Sequence, residues 1–530
     1  MAVVLSLDAG TTSVRTVAVD ESGTVVDSAQ QEFPQYFPRP GWVEHDADEI
    51  WEAASSTLSL VARRQAENGT PIAALGITNQ RETVVAWDVA TDRPRHRAIV
   101  WQDRRTASRC KALASEGVLD EVRRTTGLVL DPYFSATKFE WLLTEGAVVA
   151  DDNLRLGTVD AWLLWKLTGG AVHATDPSNA SRTMLFDLRT GGWSPDLCGR
   201  FSVPIAALPE IRSTSGRFGT TTNDGPIPAG VPVSGMAGDQ QAALFGQACF
   251  TAGAAKNTYG TGSFVLINLG PELPTPVDGL LNTVAWQLGD AESMTYALEG
   301  SIFSTGATVQ WLRDELGLIS EAAELGPLAE SVEDSAGVVF VPAFTGLGSP
   351  WWDPWARGTI IGLTRGTGRA ELARAVVEAM AFQTRDVVEA MVEAGAQPLT
   401  ELKVDGGAAV MDLLLKLQAD QLGVPVTRSA TTEVRPVPVR TSRGSPSRAS
   451  RTSACVRGLS RPSSGSAWRW RRSATTSSRT VPADSRRSFM VPSLPRVAGF
   501  TGPGSERADC TGGPHHRPDR RRAGRPAGSS

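Results

Sequence analysis

The chain has 530 residues, 41% of them hydrophobic, and a formal net charge of −5; with a mean hydropathy of −0.14, this is the composition of a soluble globular protein of two or three domains. No run approaches the ~18 apolar residues of a membrane span, and no basic segment precedes the short apolar run starting at Val3, so the cytoplasm is expected and a secretory signal is not. From Arg435 onward there are 20 arginines, no lysine and 4 acidic residues, which leaves the first 434 residues markedly acidic and disfavours nucleic acid as their partner.

Val3 to Leu7 reads as an apolar strand that breaks at Asp8-Ala9-Gly10-Thr11-Thr12-Ser13 and resumes as a second strand. Gly10 admits a backbone whose successive N–H groups can face one anion, and the hydroxyls of Thr11, Thr12 and Ser13 add donors. Asp8 would sit beside that anion and hold a metal. A plain hairpin uses the same residue types, so the turn alone decides nothing. Residues 3–8, 14–20 and 23–30 predict a three-stranded antiparallel meander. Asp46, three residues ahead of Glu49, has the pattern of a capping box, and Ile50, Ala54, Leu58 and Val61 then share one helical face that closes near Gly69. Ile72–Thr78 and Thr83–Trp87 read as further strands, and this order predicts a mixed sheet covered by helices.

Gly225-Pro226-Ile227-Pro228-Ala229-Gly230-Val231-Pro232 is a surface connection by composition. Beyond it, Lys256 to Ile267 restates the opening theme, a hydroxyl-rich glycine turn beside an apolar strand, which suggests a distant duplication. A helix from about Ser301 to Leu316, a strand at Val338–Val341, a helix from Glu371 to Glu393 ended by Gly395, a strand at Leu402–Val404 and a helix from Asp412 to Leu422 ended by Gly423 complete a second α/β unit. After Val434 all periodicity stops and Arg, Ser, Pro and Gly dominate. A disordered basic tail is one reading, since such a segment cannot offset its ordering entropy by burial. Translation in the wrong register is the favoured one, because the switch after Thr432-Glu433-Val434 is abrupt. Five scattered cysteines without a CxxC pair indicate neither a zinc site nor a disulfide framework.

Five stretches could carry chemistry. Gly238-Asp239-Gln240-Gln241 sets a carboxylate between a glycine turn and a short helix, where it can serve as a base, a metal ligand or only a cap. Asn79-Gln80-Arg81-Glu82 puts a cation and an anion at the carboxyl end of a buried strand, where α/β proteins place ligands; the bland alternative is a solvated ion pair. Trp101-Gln102-Asp103-Arg104-Arg105 and Asp131-Pro132-Tyr133-Phe134 set aromatics near charges, or pack a core. Asp405-Gly406-Gly407-Ala408, between strand and helix, lets backbone approach a nucleoside, or is a tight turn.

These segments, with Gly41-Trp42-Val43-Glu44-His45-Asp46, Asn257-Thr258-Tyr259-Gly260-Thr261-Gly262 and Pro342-Ala343-Phe344-Thr345-Gly346-Leu347-Gly348, resemble in order and spacing the FGGY carbohydrate kinases, from residue 3 to about 434. The resemblance implies an α/β fold of two ribonuclease-H-like domains of the actin and sugar-kinase type, with ATP and Mg²⁺ in the cleft between them. It divides the chain into 1–247 (acceptor and phosphates), 248–434 (nucleotide) and the unmatched segment 435–530. It implies glycerol as acceptor, held by Arg81, Glu82, Trp101, Tyr133, Asp239, Gln240 and Phe264, with Asp239 as the catalytic base. Thr11, Thr12, Ser13, Arg15, Thr261 and Gly262 would meet the phosphates; Gly306, Gln310, Gly407 and Met411 would line the nucleotide pocket; Asp8 and Asp239 would lie near Mg²⁺. A homodimer or homotetramer is compatible with the resemblance. A kinase for another polyol or ketose, an ATPase of the same architecture with no small acceptor, and an inactive relative damaged beyond Val434 are the competing expectations.

Overall fold

In the expected meander, β1 (Val3–Ala9), β2 (Ser13–Val19) and β3 (Val25–Glu32) pair antiparallel in sequence order. The computed structural model describes residues 2–353 and 356–429, so both readings of the Arg-rich segment concern residues outside the described ones. All the described residues belong to one compact unit. Helix α1 (Ala47–Glu67) begins where Asp46 accepts a hydrogen bond from the Asp48 N–H at 3.0 Å. Asp46 thus caps the helix through its second residue and the capping box does not form; Glu49 instead accepts from the Tyr36 hydroxyl at 2.7 Å. Ile50, Ala54, Leu58 and Val61 are all fully buried on one face of α1, against Leu5, Leu7 and Ile77 of the sheet, the three larger side chains each contributing about 1.5–3 kcal/mol on transfer from water.

The sheet continues through β4 (Ile72–Asn79), parallel to β1, while β5 (Ser215–Thr220) and β6 (Pro232–Gly238) form a hairpin across the Pro/Gly-rich connection. β6 lies parallel to β4, giving the strand order β5-β6-β4-β1-β2-β3. The strand expected at Thr83–Trp87 forms as Val84–Asp88 but belongs to a separate five-stranded sheet. Glu82, at φ +62°, turns the chain out of the main sheet just before it.

Helix α2 (Asp239–Gly246) follows β6 directly, and a second six-stranded sheet then opens on a hairpin as the first does. β7 (Ala255–Tyr259) and β8 (Ser263–Gly270) form its opening hairpin; β9 (Leu281–Trp286) and β10 (Thr295–Ile302) add antiparallel strands on one side. Helix α3 (Gly306–Asp314) starts later than expected, because Ser301 is paired in β10 opposite Phe264 and strand pairing prevails over local helical period. Helix α4 (Arg369–Glu393) starts where the Gly368 N–H donates to Glu371 at 2.8 Å. β11 (Leu402–Asp405), parallel to β7, leads into α5 (Asp412–Leu422), which Gly423 ends at φ +68°, as a left-handed C-cap requires. β12 (Val426–Arg428) lies parallel to β11, so the order is β9-β10-β8-β7-β11-β12. In each sheet a glycine-turn hairpin has an antiparallel strand beside its second strand and a parallel strand beside its first. Cys110, Cys198 and Cys249 are buried free thiols. Among the described residues no helix is long and apolar enough to cross a membrane.

Candidate active site

The register aligns three strand ends: Ala9 of β1 stands opposite Asn79 of β4, and Asn79 opposite Gly238 of β6. The Gly10–Ser13 turn, the Gln80–Thr83 segment and Asp239 therefore leave the same carboxyl edge of the first sheet, the location at which open α/β sheets place ligands. The turn closes through Gly10 N–H to the Ser13 carbonyl at 3.0 Å, and Gln80 braces it by donating from its backbone to Ala9 at 2.8 Å and from its side chain to the Gly10 carbonyl at 3.0 Å. Asp8 stands opposite Arg15 across β1 and β2, so the two side chains share a face of the sheet. The Arg15 guanidinium lies on Gln30 of β3, at 2.6 and 3.1 Å.

Arg81 and Glu82 are not a solvated pair. Both are buried, and their charged atoms are 3.8 Å apart because each has a nearer partner. Arg81 donates from Nη1 to Glu299 Oε2 at 2.5 Å and from Nη2 to Glu299 Oε1 at 3.2 Å, a two-pronged contact; Nη2 also reaches the Tyr133 hydroxyl at 3.3 Å. Its Nε lies 3.4 Å from Asp239 Oδ1. Arg182 donates from Nε to Glu82 at 2.7 Å and from Nη2 to Glu299 at 2.9 Å. Burial pushes the Glu82 carboxyl up, more than Arg81 and Arg182 pull it down. Burial would raise Glu299 as well, but Arg182 and Arg81 together outweigh it and hold the carboxyl at about 2. Within this cluster Asp239 is the accessible carboxylate, its side chain 18% exposed against 2% for Glu82 and 0% for Glu299. Glu82 occupies the left-handed backbone region that a non-glycine residue adopts at a cost, and such outliers concentrate at functional sites.

Three rings stand over this cluster. Trp101 meets Tyr133 edge-on at 5.7 Å between centroids and Phe264 at 6.3 Å, and the Arg81 guanidinium lies 5.8 Å from the Phe264 ring. Trp101 also donates from its indole to the Thr11 hydroxyl at 3.0 Å, linking the aromatic wall to the first turn. The wall is braced from behind: Arg104 binds Asp131 at 2.7 Å, Asp131 accepts the Tyr133 N–H at 2.8 Å, and the buried Lys138 amine donates to the Tyr133 carbonyl at 2.8 Å. Burial pulls that amine down to about 7, and burial raises the Tyr133 hydroxyl. Gln240 is turned to the buried Lys256, from which its side-chain oxygen accepts; the neighbour that reaches Arg81 is Gln241, at 3.3 Å.

The second sheet supplies a different edge, made of backbone. Gly306 N–H donates to the Gly260 carbonyl at 2.9 Å, and the Thr305 and Ala307 N–H groups donate to the Thr261 carbonyl at 2.9 and 3.0 Å, so α3 starts on the β7–β8 turn. A Cβ on Gly306 would come 2.6 Å from the Gly260 carbonyl, and Cβ atoms on Gly262 and Gly406 would collide with the Ile302 and Tyr259 carbonyls. Gly407 is exposed beside that last contact, and Gln310 is exposed on α3. Met411 packs against Gly326 and the second core. Among the described residues no group of three or more His, Cys, Asp or Glu could hold a metal. Asp8 of β1 and Asp239, the first residue of α2 just past β6, lie at strands either side of β4 and fit Mg²⁺, which takes one or two carboxylates and completes its shell with water and phosphate oxygens.

Sequence reasoning named Arg81, Glu82, Trp101, Tyr133, Asp239 and Phe264, and the structure brings these together; it missed Arg182, Glu299, Gln241 and Lys256. The one available signal for Glu299 was a charged residue within an otherwise apolar or small run, Ala297-Leu298-Glu299-Gly300.

Two six-stranded sheets, each opening on a glycine-turn hairpin, with charges and rings gathered between them, define the two-domain α/β class that serves sugar kinases. Residues 3–246 match the N-terminal domain of the FGGY family of carbohydrate kinases and residues 255–436 its C-terminal domain. The chain is 53% identical to a glycerol kinase of Alkalilimnicola ehrlichii over 437 residues, 82% of this chain and 88% of the relative. It is 52% identical to a glycerol kinase of Bordetella parapertussis over 81% of this chain and 86% of that one. The solved structure of Plasmodium falciparum glycerol kinase with ADP is 35% identical, with a TM-score of 0.77, and covers 82% of this chain and 87% of its own. The chain belongs to the FGGY family of carbohydrate kinases.

Proposed function

We propose that the chain phosphorylates glycerol with ATP, giving sn-glycerol 3-phosphate. The observation that carries this is the placement of Asp239, an accessible carboxylate 3.4 Å from a guanidinium that is otherwise enclosed, beside a wall of three rings. A triol presents hydroxyls on a short carbon chain: Arg81, Glu82 and the Tyr133 hydroxyl serve the oxygens, Trp101 and Phe264 cover the carbons, and Gln240, turned to Lys256, is left out of the acceptor contacts. Asp239 takes the proton of the attacking hydroxyl as it meets the γ-phosphorus in line, and the backbone N–H groups of the Gly10–Ser13 turn and Arg15 steady the transferring charge. Positioning supplies most of the rate in such transfers. Asp8 and Asp239 would hold Mg²⁺, which offsets phosphate charge when bound. Thr11, Thr12, Ser13, Thr261 and Gly262 serve the phosphates, and Gly306, Gln310, Gly407 and Met411 the nucleoside.

Residues 1–247 form the acceptor half and 248–434 the nucleotide half in this reading, the cytoplasm is the compartment, and a homo-oligomer is compatible with it. Residues 435–530 are read as out of frame, supported by their composition and by a family match that ends at residue 436; a DNA sequence across codons 430–440 without a one- or two-base slip overturns this. The activity is tested by ADP release with and without glycerol and across a panel of polyols and ketoses. Glycerol-dependent release supports the reading. Release independent of glycerol, no release, or preference for another acceptor overturns it.

A further inference from the structure

Glu299 is fully buried in β10 of the second sheet, yet its partners come from the first half of the chain, 218 residues away at Arg81 and 117 at Arg182. Its carboxylate accepts four hydrogen bonds: two from Arg81, one from Arg182, and one from the Ser301 hydroxyl at 3.2 Å. With those contacts made and no solvent exposure, Glu299 has no face left for a substrate. Its effect passes through Arg81. A guanidinium is a rigid plane, so a carboxylate bound across Nη1 and Nη2 also sets the direction of the Nε edge, and that edge faces Asp239 Oδ1 at 3.4 Å. Three residues past Glu299, β10 ends at Ile302, and the chain then runs through Thr305 and Gly306, whose N–H groups lie on the carbonyls of the β7–β8 turn. One short segment thus carries both the anchor of Arg81 and the start of the nucleotide edge.

We propose that Glu299 is a positioning residue for the phosphoryl acceptor: from the second sheet it orients Arg81 against Asp239, so that the acceptor site in the first half is completed only by a residue of the second. This rests on the reading that Arg81 and Asp239 face the acceptor. The rival explanation is a latch that merely holds the two sheets together, and a buried ion pair by itself does not decide between them, since such pairs are often neutral for stability.

Glycerol and ATP kinetics of the full chain separate the two. Removing one partner of a buried charge pair, as in Glu299→Gln, is expected to raise the glycerol KM by about 30-fold or more, with the ATP KM within roughly twofold. Because that variant leaves two arginines short of a counter-charge and can fail to fold, the charge-balanced Glu299→Gln/Arg182→Met carries the test with it. Because Arg182 also pairs with Glu82, the double variant is compared with Arg182→Met alone: if it melts near the temperature of that single variant and its glycerol KM is at least about tenfold higher, the positioning role holds. A glycerol KM less than about tenfold above that of Arg182→Met, or a rise in the ATP KM matching that for glycerol, makes Glu299 a latch and overturns the proposal. Wild-type protein that turns over no glycerol overturns the functional reading and this inference together, whereas active wild type with unaffected variants overturns this inference alone.

Discussion

The carboxyl edge of the first sheet and that of the second both lie beside a glycine-turn hairpin, but they are made of different materials. Beside its glycine turn, the first edge is made of side chains: Arg81, Glu82 and Arg182 are buried and interlocked with Glu299, which reaches them from the second sheet, and Asp239 is the accessible member. The second is made of backbone, where Gly262, Gly306 and Gly406 let carbonyls approach more closely than any side chain allows. A small acceptor has few atoms, so discrimination must come from charges held in fixed directions, and holding them demands burial and counter-charges. A nucleotide is large and carries repeating phosphates, which N–H groups and hydroxyls can serve with no buried charge at all.

The sharpest way to break this contrast is Asp239→Asn, which removes the proposed base and leaves the cage in place. We expect turnover to fall by about 10²–10⁴-fold, with the glycerol KM changed far less; a variant with near-native turnover sinks the assignment.

Acid tests the bracing of the first edge. His45, buried beside Gln80 at 3.4 Å, is held neutral by burial, its value lowered from 6.5 to about 4. The unfolded chain therefore binds this proton more readily, so the stability His45 provides is fully present above pH 6.5 and drains away as the pH falls toward 4, by of the order of 3 kcal/mol. Urea denaturation between pH 7 and 4 should show that loss in the wild type and a smaller one in His45→Gln; identical profiles would remove His45 from the account.

The second edge is probed by Gly262→Ala, whose Cβ must displace the Ile302 carbonyl. Overpacking of about 1–3 kcal/mol predicts a rise in the ATP KM of roughly 5- to 150-fold, exceeding any change for glycerol. The smallest effect is expected where the two kinds of contact meet: Trp101→Phe keeps a ring over the cluster but drops the hydrogen bond to Thr11, costing about 0.5–1.5 kcal/mol, read as a several-fold rise in the glycerol KM.

The contrast between the edges also marks how far sequence reasoning reached. The second edge was legible because a glycine turn between two strands is a local signal, and Gly260-Thr261-Gly262 lies where the hairpin turns. α1 and α5 were legible for the same reason, as Asp46 and Gly423 act on the residues next to them. Ser301 was misread as helical because its strand is defined by β8, a neighbour more than thirty residues earlier. Arg81 and Glu82 read as a pair by adjacency, whereas the structure gives each a closer partner elsewhere.

The sequence by itself determined the alternation of strands and helices, the two glycine turns, the helix ends and the family, all of which rest on residue type and short spacing. Only the tertiary structure decided which charges are buried and who compensates them. Local propensity acts over a few residues, but the cost of removing a charge from water depends on everything that surrounds it, and for Glu299 what surrounds it comes from the other half of the chain.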